Sequence, residues 1–125
     1  MGQQSRRILL VDDNRDATTV LLVLLRDMGH KVECAVDAHT ALEAARRMLP
    51  EIVFVDLVLP DMDGCELARQ LKREPGLDGV RIFAVTGHGD EESRRRSLEA
   101  GCDAHLLKPV DPKFLESLLG SPRRR

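Results

Sequence analysis

An α/β domain, with five parallel strands alternating with five helices and a sheet covered on both faces, is the fold class this sequence predicts. Two observations lead there. Short β-rich runs alternate with stretches of helical periodicity along the chain, and several of those runs are apolar at every position, the mark of strands buried on both faces. A third concerns size: 125 residues suffice for one core and leave no room for a second domain of ordinary size.

Ile8-Leu9-Leu10-Val11 is the first strand and runs into Asp12-Asp13. Ala17, Val20, Leu21, Leu24, Leu25 and Met28 then recur at three- and four-residue intervals up to Gly29, an amphipathic helix with a glycine stop. Leu22 and Val23 fall off that stripe and are expected on the surface. Lys31 to Ala35 alternates as a second strand. Ala41, Leu42, Ala45 and Leu49 share one face of a helix from Ala38 to Leu49, which Pro50 is expected to end. Ile52 to Val55 is a third strand ending at Asp56. After the loop Leu59-Pro60-Asp61-Met62-Asp63-Gly64, a helix carrying Leu67, Ala68 and Leu71 runs to about Arg73, where Glu74-Pro75-Gly76 breaks it. Val80 to Val85 is a fourth strand ending at Thr86. Asp90 is the N-cap of a polar helix through Ala100, closed by Gly101. Ala104 to Leu107 is a short fifth strand ending at Lys108-Pro109, and Asp111 opens a last helix to about Leu119, with Gly120-Ser121-Pro122 as its stop. The expected organisation is a flexible N-terminal segment over 1–6, one domain over 7–119, and a basic, solvated tail over 120–125.

Composition narrows the function classes. Nineteen Lys and Arg against 21 Asp and Glu leave a net charge of −2, so no basic field draws nucleic acid or anionic lipid. Only three aromatic rings, Phe54, Phe83 and Phe114, are present to stack on bases. The longest apolar run, Val20 to Leu25, is far too short to cross a bilayer, so no membrane insertion is expected. Cys34, Cys65 and Cys102 stand far apart with no CxxC pair, which reads as reduced thiols in a cytoplasmic protein.

The chemistry collects at one edge. Right-handed crossovers bring the carboxyl ends of all strands to the same side of a parallel sheet, where ligands bind. The residues ending the strands are Asp12 and Asp13, Asp56, Thr86 and Lys108. Singly, each is an ordinary turn residue. Jointly, three carboxylates repel one another unless they share a cation, and Mg²⁺ suits such a site because it takes oxygen ligands and keeps several waters. Lys108 adds a point charge suited to phosphate. A carboxylate beside Mg²⁺ and an ammonium is the arrangement an aspartyl-phosphate needs.

These residues carry a close family resemblance. From about Arg7 to Leu119 the chain resembles the response-regulator receiver domains of two-component signalling. The matching motifs are Ile8-Leu9-Leu10-Val11-Asp12-Asp13-Asn14, Asp56 followed by Pro60 and Gly64, Thr86 after an apolar strand, and Lys108-Pro109 preceded by Gly101. The resemblance implies a flavodoxin-like, doubly wound sheet of strand order 2-1-3-4-5, (βα)5, an order it supplies and the residues alone do not. It implies that Asp56 accepts a phosphoryl group from a phosphohistidine on a histidine kinase or histidine phosphotransfer protein. Asp13 and Asp56 would ligate Mg²⁺ with the backbone carbonyl of Val58, Asp12 would hold a metal-bound water, and Lys108 would contact the phosphoryl oxygens. Thr86 would swing onto the phosphate as the switch, altering a partner surface on the fourth helix, fifth strand and fifth helix.

The chain departs from the family pattern in places. The second switch position, usually Tyr or Phe, holds His105, and Gly87 follows Thr86 where Ala is common, giving a loop expected to be mobile. The positions that tune dephosphorylation are Val58, which cannot orient a water, and His88, which can. Leu22 and Val23 suit helix-on-helix docking of a phosphodonor, and Arg94-Arg95-Arg96 is read as a solvated face or part of the output surface. Asp61-Met62-Asp63-Gly64 fails as a calcium loop because its first and twelfth positions are Leu59 and Gln70. Two other functions fit less well. A pseudo-receiver, binding partners without phosphorylation, has no need of the acidic pair, acceptor and lysine that are all present. An aspartate-nucleophile phosphatase needs a second Asp where Val58 stands. The expectation is therefore a phosphoacceptor that is no turnover enzyme, either a free-standing regulator or a receiver from a longer protein such as a hybrid kinase, with no output domain after the fifth helix.

Overall fold

The computed structural model describes residues 5–87 and 89–119. Its elements are β1 (Arg7–Val11), α1 (Arg15–Asp27), β2 (Lys31–Ala35), α2 (Ala38–Met48), β3 (Ile52–Asp56), α3 (Gly64–Arg73), β4 (Arg81–Thr86), α4 (Glu91–Glu99), β5 (Ala104–Leu107) and α5 (Pro112–Leu119). The strands form one parallel sheet in the order β2-β1-β3-β4-β5. This is the doubly wound, flavodoxin-like arrangement expected above. The segments 1–4 and 120–125, with the expected stop at Gly120-Ser121-Pro122 and the arginine tail, lie outside the described residues, as does His88.

Alternation along the strands sorts the apolar side chains into two cores. Leu9, Val11, Val53, Val55, Ile82 and Ala84 face α2 and α3, while Ile8, Leu10, Phe54, Phe83 and Val85 face α1 and α5. All three phenylalanines gather on the second face: Phe54 and Phe83 lie 5.5 Å apart and Phe83 and Phe114 6.3 Å apart, the latter pair edge-on. Every residue of β3 is buried, as its unbroken apolar run demands.

Helix boundaries follow from polar caps. Asn14 Oδ1 accepts from the N–H of Asp16 and Ala17, so α1 begins two residues before the first apolar position of its stripe. Asp37, Asp63 and Asp90 cap α2, α3 and α4 in the same way. α2 ends at Met48, before Pro50 is reached: Leu49 turns left-handed at φ 49° and Arg7 Nε donates to the carbonyls of Met48 and Leu49. Gly29 and Gly101 stop their helices at φ 98° and 104°, as expected.

The apolar stripe of α1 is only partly a core face. Val20, placed on the stripe, is 64% exposed, whereas Leu22, placed off it, packs against the α1/α5 core. Val23 is exposed as expected. Thr18 is buried instead, its hydroxyl satisfied by donating to the carbonyl of Asn14 at 2.9 Å.

One glycine is required by space. A Cβ on Gly64 would lie 2.6 Å from Leu57 Cα and closer still to the carbonyl oxygen of Asp56. The first turn of α3 thus rests directly on the end of β3, and Gly64 N–H donates to Leu57 at 3.0 Å. Gly64→Ala should destabilise the fold by about 2 kcal/mol or more in urea unfolding, since the backbone at Asp56 has to shift. Gly79→Ala, where the added carbon meets nothing within 4 Å, should cost far less.

Candidate functional site

The registers dictate which residues meet. Val11 pairs with Val55, Asp56 with Val85, and Thr86 with Leu107, so Asp12, Asp56, Thr86 and Lys108 emerge together from the carboxyl edge of β1, β3, β4 and β5. Carboxylate oxygens of Asp12, Asp13 and Asp56 all lie within 4.8 Å of one another. The ammonium of Lys108 sits between two of them, 2.8 Å from Asp12 Oδ2 and 3.2 Å from Asp56 Oδ2. Its backbone is pinned as well, Lys108 N–H donating to the carbonyl of Thr86 at 2.9 Å.

Asp56 is only 8% exposed, and its second oxygen accepts from Val58 N–H at 3.1 Å. Burial pushes its carboxyl above the ordinary aspartate range, and the neighbouring charge of Asp12 adds to this. The Val58 N–H and Lys108 pull the other way without cancelling the rise. Burial works against the charge on Lys108, but the two carboxylates outweigh it and hold its ammonium above the ordinary lysine value. Asp13 is exposed and Thr86 is buried. The arrangement offers a cluster of hard oxygen donors, one fixed positive charge, and a carboxylate held by two donors with its nucleophilic oxygens directed at the edge.

The loop after Asp56 is fixed from three sides. Val58 bridges to Asp63, leaving its own side chain 65% exposed at the rim. Asp63 caps α3 through Cys65 N–H at 2.8 Å and is ion-paired with Arg96 of α4. Burial opposes ionisation of Asp63, but the Cys65 N–H and Arg96 hold its carboxyl below the usual range. Asp61 accepts from the N–H of Ala38 and His39 at 2.8 and 3.0 Å, tying the loop to the start of α2. Sequence alone does not assign these tasks to Asp61, Asp63 and Arg96. The Asp-rich turn was the available signal, while the pairing with Arg96 crosses 33 residues.

The arginine run on α4 is therefore more than a solvated face: Arg95 pairs with Glu92 and Glu99, and Arg96 with Asp63. His105 stands opposite Ala84 on the sheet face shared with Thr86, half-buried, with its Nε2 buried and without a hydrogen-bond partner among the described residues. Burial, reinforced by the charge of Arg94 and only partly offset by Asp90, lowers its pKa. Gly87 has open space where a Cβ would stand, so packing does not require glycine there. The three cysteines are free, and burial pushes the Cys102 thiol up to about 12.

Comparison with known proteins agrees with this geometry. Residues 8–119 match the family described as the response regulator receiver domain. An uncharacterised 14.6 kDa protein of Leptolyngbya boryana is 37% identical over 112 residues, spanning 90% of this chain and 86% of that one. The DNA-binding response regulator MtrA of Mycobacterium tuberculosis is 34% identical over the whole chain, which spans 54% of MtrA's length. Among solved structures, the receiver domain of the sensor histidine kinase PA1611 of Pseudomonas aeruginosa, with magnesium coordinated in its active site cleft, superposes with a TM-score of 0.83 at 30% identity, covering 93% of this chain and 95% of that one.

The lowered pKa of the half-buried His105 makes stability depend on acidity. Its folded pKa lies below 6.5, so the unfolded chain takes up the proton first, and stability falls as the pH drops from 6.5 through the folded value. His105→Phe should lack this loss. In urea unfolding between pH 7.5 and pH 5, the difference between the two proteins should move in favour of His105→Phe, and a constant difference would contradict the assignment.

Proposed function

Because the chain belongs to the family of response regulator receiver domains, the signalling modules of two-component systems, we propose that it accepts a phosphoryl group from a phosphohistidine onto Asp56. The donor is a histidine kinase or a histidine phosphotransfer protein. One observation carries the reading: Asp56 lies buried at the sheet edge with one oxygen on Val58 N–H and the other on an ammonium that also spans to Asp12.

In the transfer, an Asp56 oxygen attacks phosphorus, the donor's N–P bond breaks, and the electron pair leaves with the imidazole. The Val58 N–H and the Lys108 ammonium fix the attacking carboxylate in advance, so little reorganisation remains for the reaction itself. Lys108 then turns from the carboxylates to the phosphoryl oxygens. Three carboxylates within 4.8 Å suit a hard divalent cation, and Asp12, Asp13, Asp56 and the Val58 carbonyl are the groups that would hold Mg²⁺. When bound, Mg²⁺ supplies positive charge to the equatorial oxygens of the transferring group. The magnesium in the PA1611 receiver supports this choice of metal.

Phosphorylation draws the Thr86 hydroxyl to the phosphoryl group, and His105, on the same face, follows it inward. The change is read by a downstream protein on the face of α4, β5 and α5. The working unit is residues 7–119, it acts in the cytoplasm, and its catalysis is confined to its own phosphorylation and dephosphorylation. No helix among the described residues is long and apolar enough to cross a membrane.

Intact-protein mass after incubation with Mg²⁺ and acetyl phosphate tests the proposal. One added phosphoryl group is expected, absent without metal and absent in Asp56→Asn. No addition to a folded protein that binds Mg²⁺ would favour a partner-binding module that works without phosphorylation. The lifetime of the phosphoryl group provides a second test. Val58 is apolar and exposed and cannot orient an attacking water, a task that falls to His88. His88→Ala should lengthen the phosphoryl half-life, and an unchanged half-life would remove His88 from the mechanism.

A further inference from the structure

The chain that leaves Asp56 folds back on itself. Gly64 N–H donates to the Leu57 carbonyl at 3.0 Å and Val58 bridges antiparallel to Asp63, so Leu59-Pro60-Asp61-Met62 forms the tip of a short hairpin. Leu59 and Met62 rest, partly buried, against the core beneath α2 and α3. Apolar contact of that kind is non-directional and leaves the tip free to slide. Direction comes from Asp61, whose Oδ1 accepts from Ala38 N–H at 2.8 Å and whose Oδ2 accepts from His39 N–H at 3.0 Å.

Those two amides open α2, and the cap of the helix lies elsewhere: the Asp37 side chain accepts from Thr40 N–H. Ala38 is wholly buried, so no water reaches its N–H, and a buried donor left unpaired is costly. The positive end of the helix also favours a carboxylate over a neutral acceptor. The acceptor that α2 requires and the anchor that the hairpin requires are thus one side chain.

What the hairpin carries is Val58. Its N–H donates to Asp56 Oδ1 at 3.1 Å, and its carbonyl is the backbone group offered to a divalent cation beside the carboxylates of Asp12, Asp13 and Asp56. We propose that Asp61 is a positioning residue of that cation site: by holding the hairpin tip on the first two amides of α2, it fixes the Val58 carbonyl against the three carboxylates and so sets the affinity for Mg²⁺. Mg²⁺ demands near-ideal octahedral geometry, which makes its binding sensitive to a ligand that drifts. Asp61 acts through Val58, three residues before it in the chain. The inference rests on the reading of these groups as the Mg²⁺ site.

Mg²⁺ titration of the whole protein, followed by amide NMR shifts, tests it in Asp61→Ala, Asp61→Asn and Asp37→Ala. Asp61 is exposed, so its loss opens no cavity in the core. Asp61→Ala should raise the apparent Kd for Mg²⁺ roughly tenfold, the loss usual when a group that orients a metal ligand is removed. Asp61→Asn keeps an oxygen for one of the two N–H groups and should fall between. Asp37→Ala takes a carboxylate and a cap from the same end of α2 but leaves the tie to the hairpin, and its Kd should stay at the wild-type value. Without metal, exchange of the Val58 and Gly64 amides with deuterium should quicken in Asp61→Ala and not in Asp37→Ala. An unchanged Kd in Asp61→Ala overturns the inference. So does an equal rise in Asp37→Ala, which would make the effect one of helix stability, or an equal rise in the two Asp61 variants, which would make it one of charge. Unchanged exchange at Val58 and Gly64 overturns it too. A wild-type protein that binds no Mg²⁺ would remove the reading beneath the inference, and the inference with it.

Discussion

The ammonium of Lys108, held 2.8 Å from Asp12 and 3.2 Å from Asp56, is the contact on which the carboxyl edge of the sheet depends. A parallel sheet delivers its strand ends to one place whatever residues they carry, and here three carboxylates arrive within 4.8 Å of one another. Burial bears hardest on the charge of Asp56, and the neighbouring Asp12 adds to it. One positive charge from the edge strand β5 reaches across β4 to the ends of β3 and β1, and so joins strands that do not pair with β5 in the sheet. The same contact holds Lys108 ready beside Asp56. Gly64 serves the position from below: with no side chain there, α3 rests on the Asp56 backbone and the following loop can turn back toward the edge.

Much of this was legible in the sequence because strand ends are one-dimensional features. Asp12, Asp56, Thr86 and Lys108 each close an apolar run, and parallel topology brings such positions together without any knowledge of side-chain packing. Features that depend on what faces a side chain across space were less legible. Val20 lies on the apolar stripe by periodicity, yet it is exposed because α1 and α5 leave a cavity beside it. Leu49 ends α2 before Pro50 is reached, and Arg7, at the start of β1, satisfies the carbonyls of Met48 and Leu49. Lys108 also meets Asp12 at 2.8 Å, a contact that no run of residues announces. Asp61 carried no periodic signal at all, since its partners are the first amides of α2.

Asp63 performs two tasks at once, capping α3 and pairing with Arg96 of α4, and it also bridges in backbone to Val58 at the rim of the site. A rotation of α4 that parts Arg96 from Asp63 would therefore leave a carboxylate to relax at the start of α3, within one bridge of the loop that leaves Asp56. Both partners are nearly half exposed, so water screens the pair and it contributes little to stability. A latch of that strength opens with thermal motion and recloses readily. The resting position of α4 therefore owes more to the burial of Ser97 and Ala100 than to this pair.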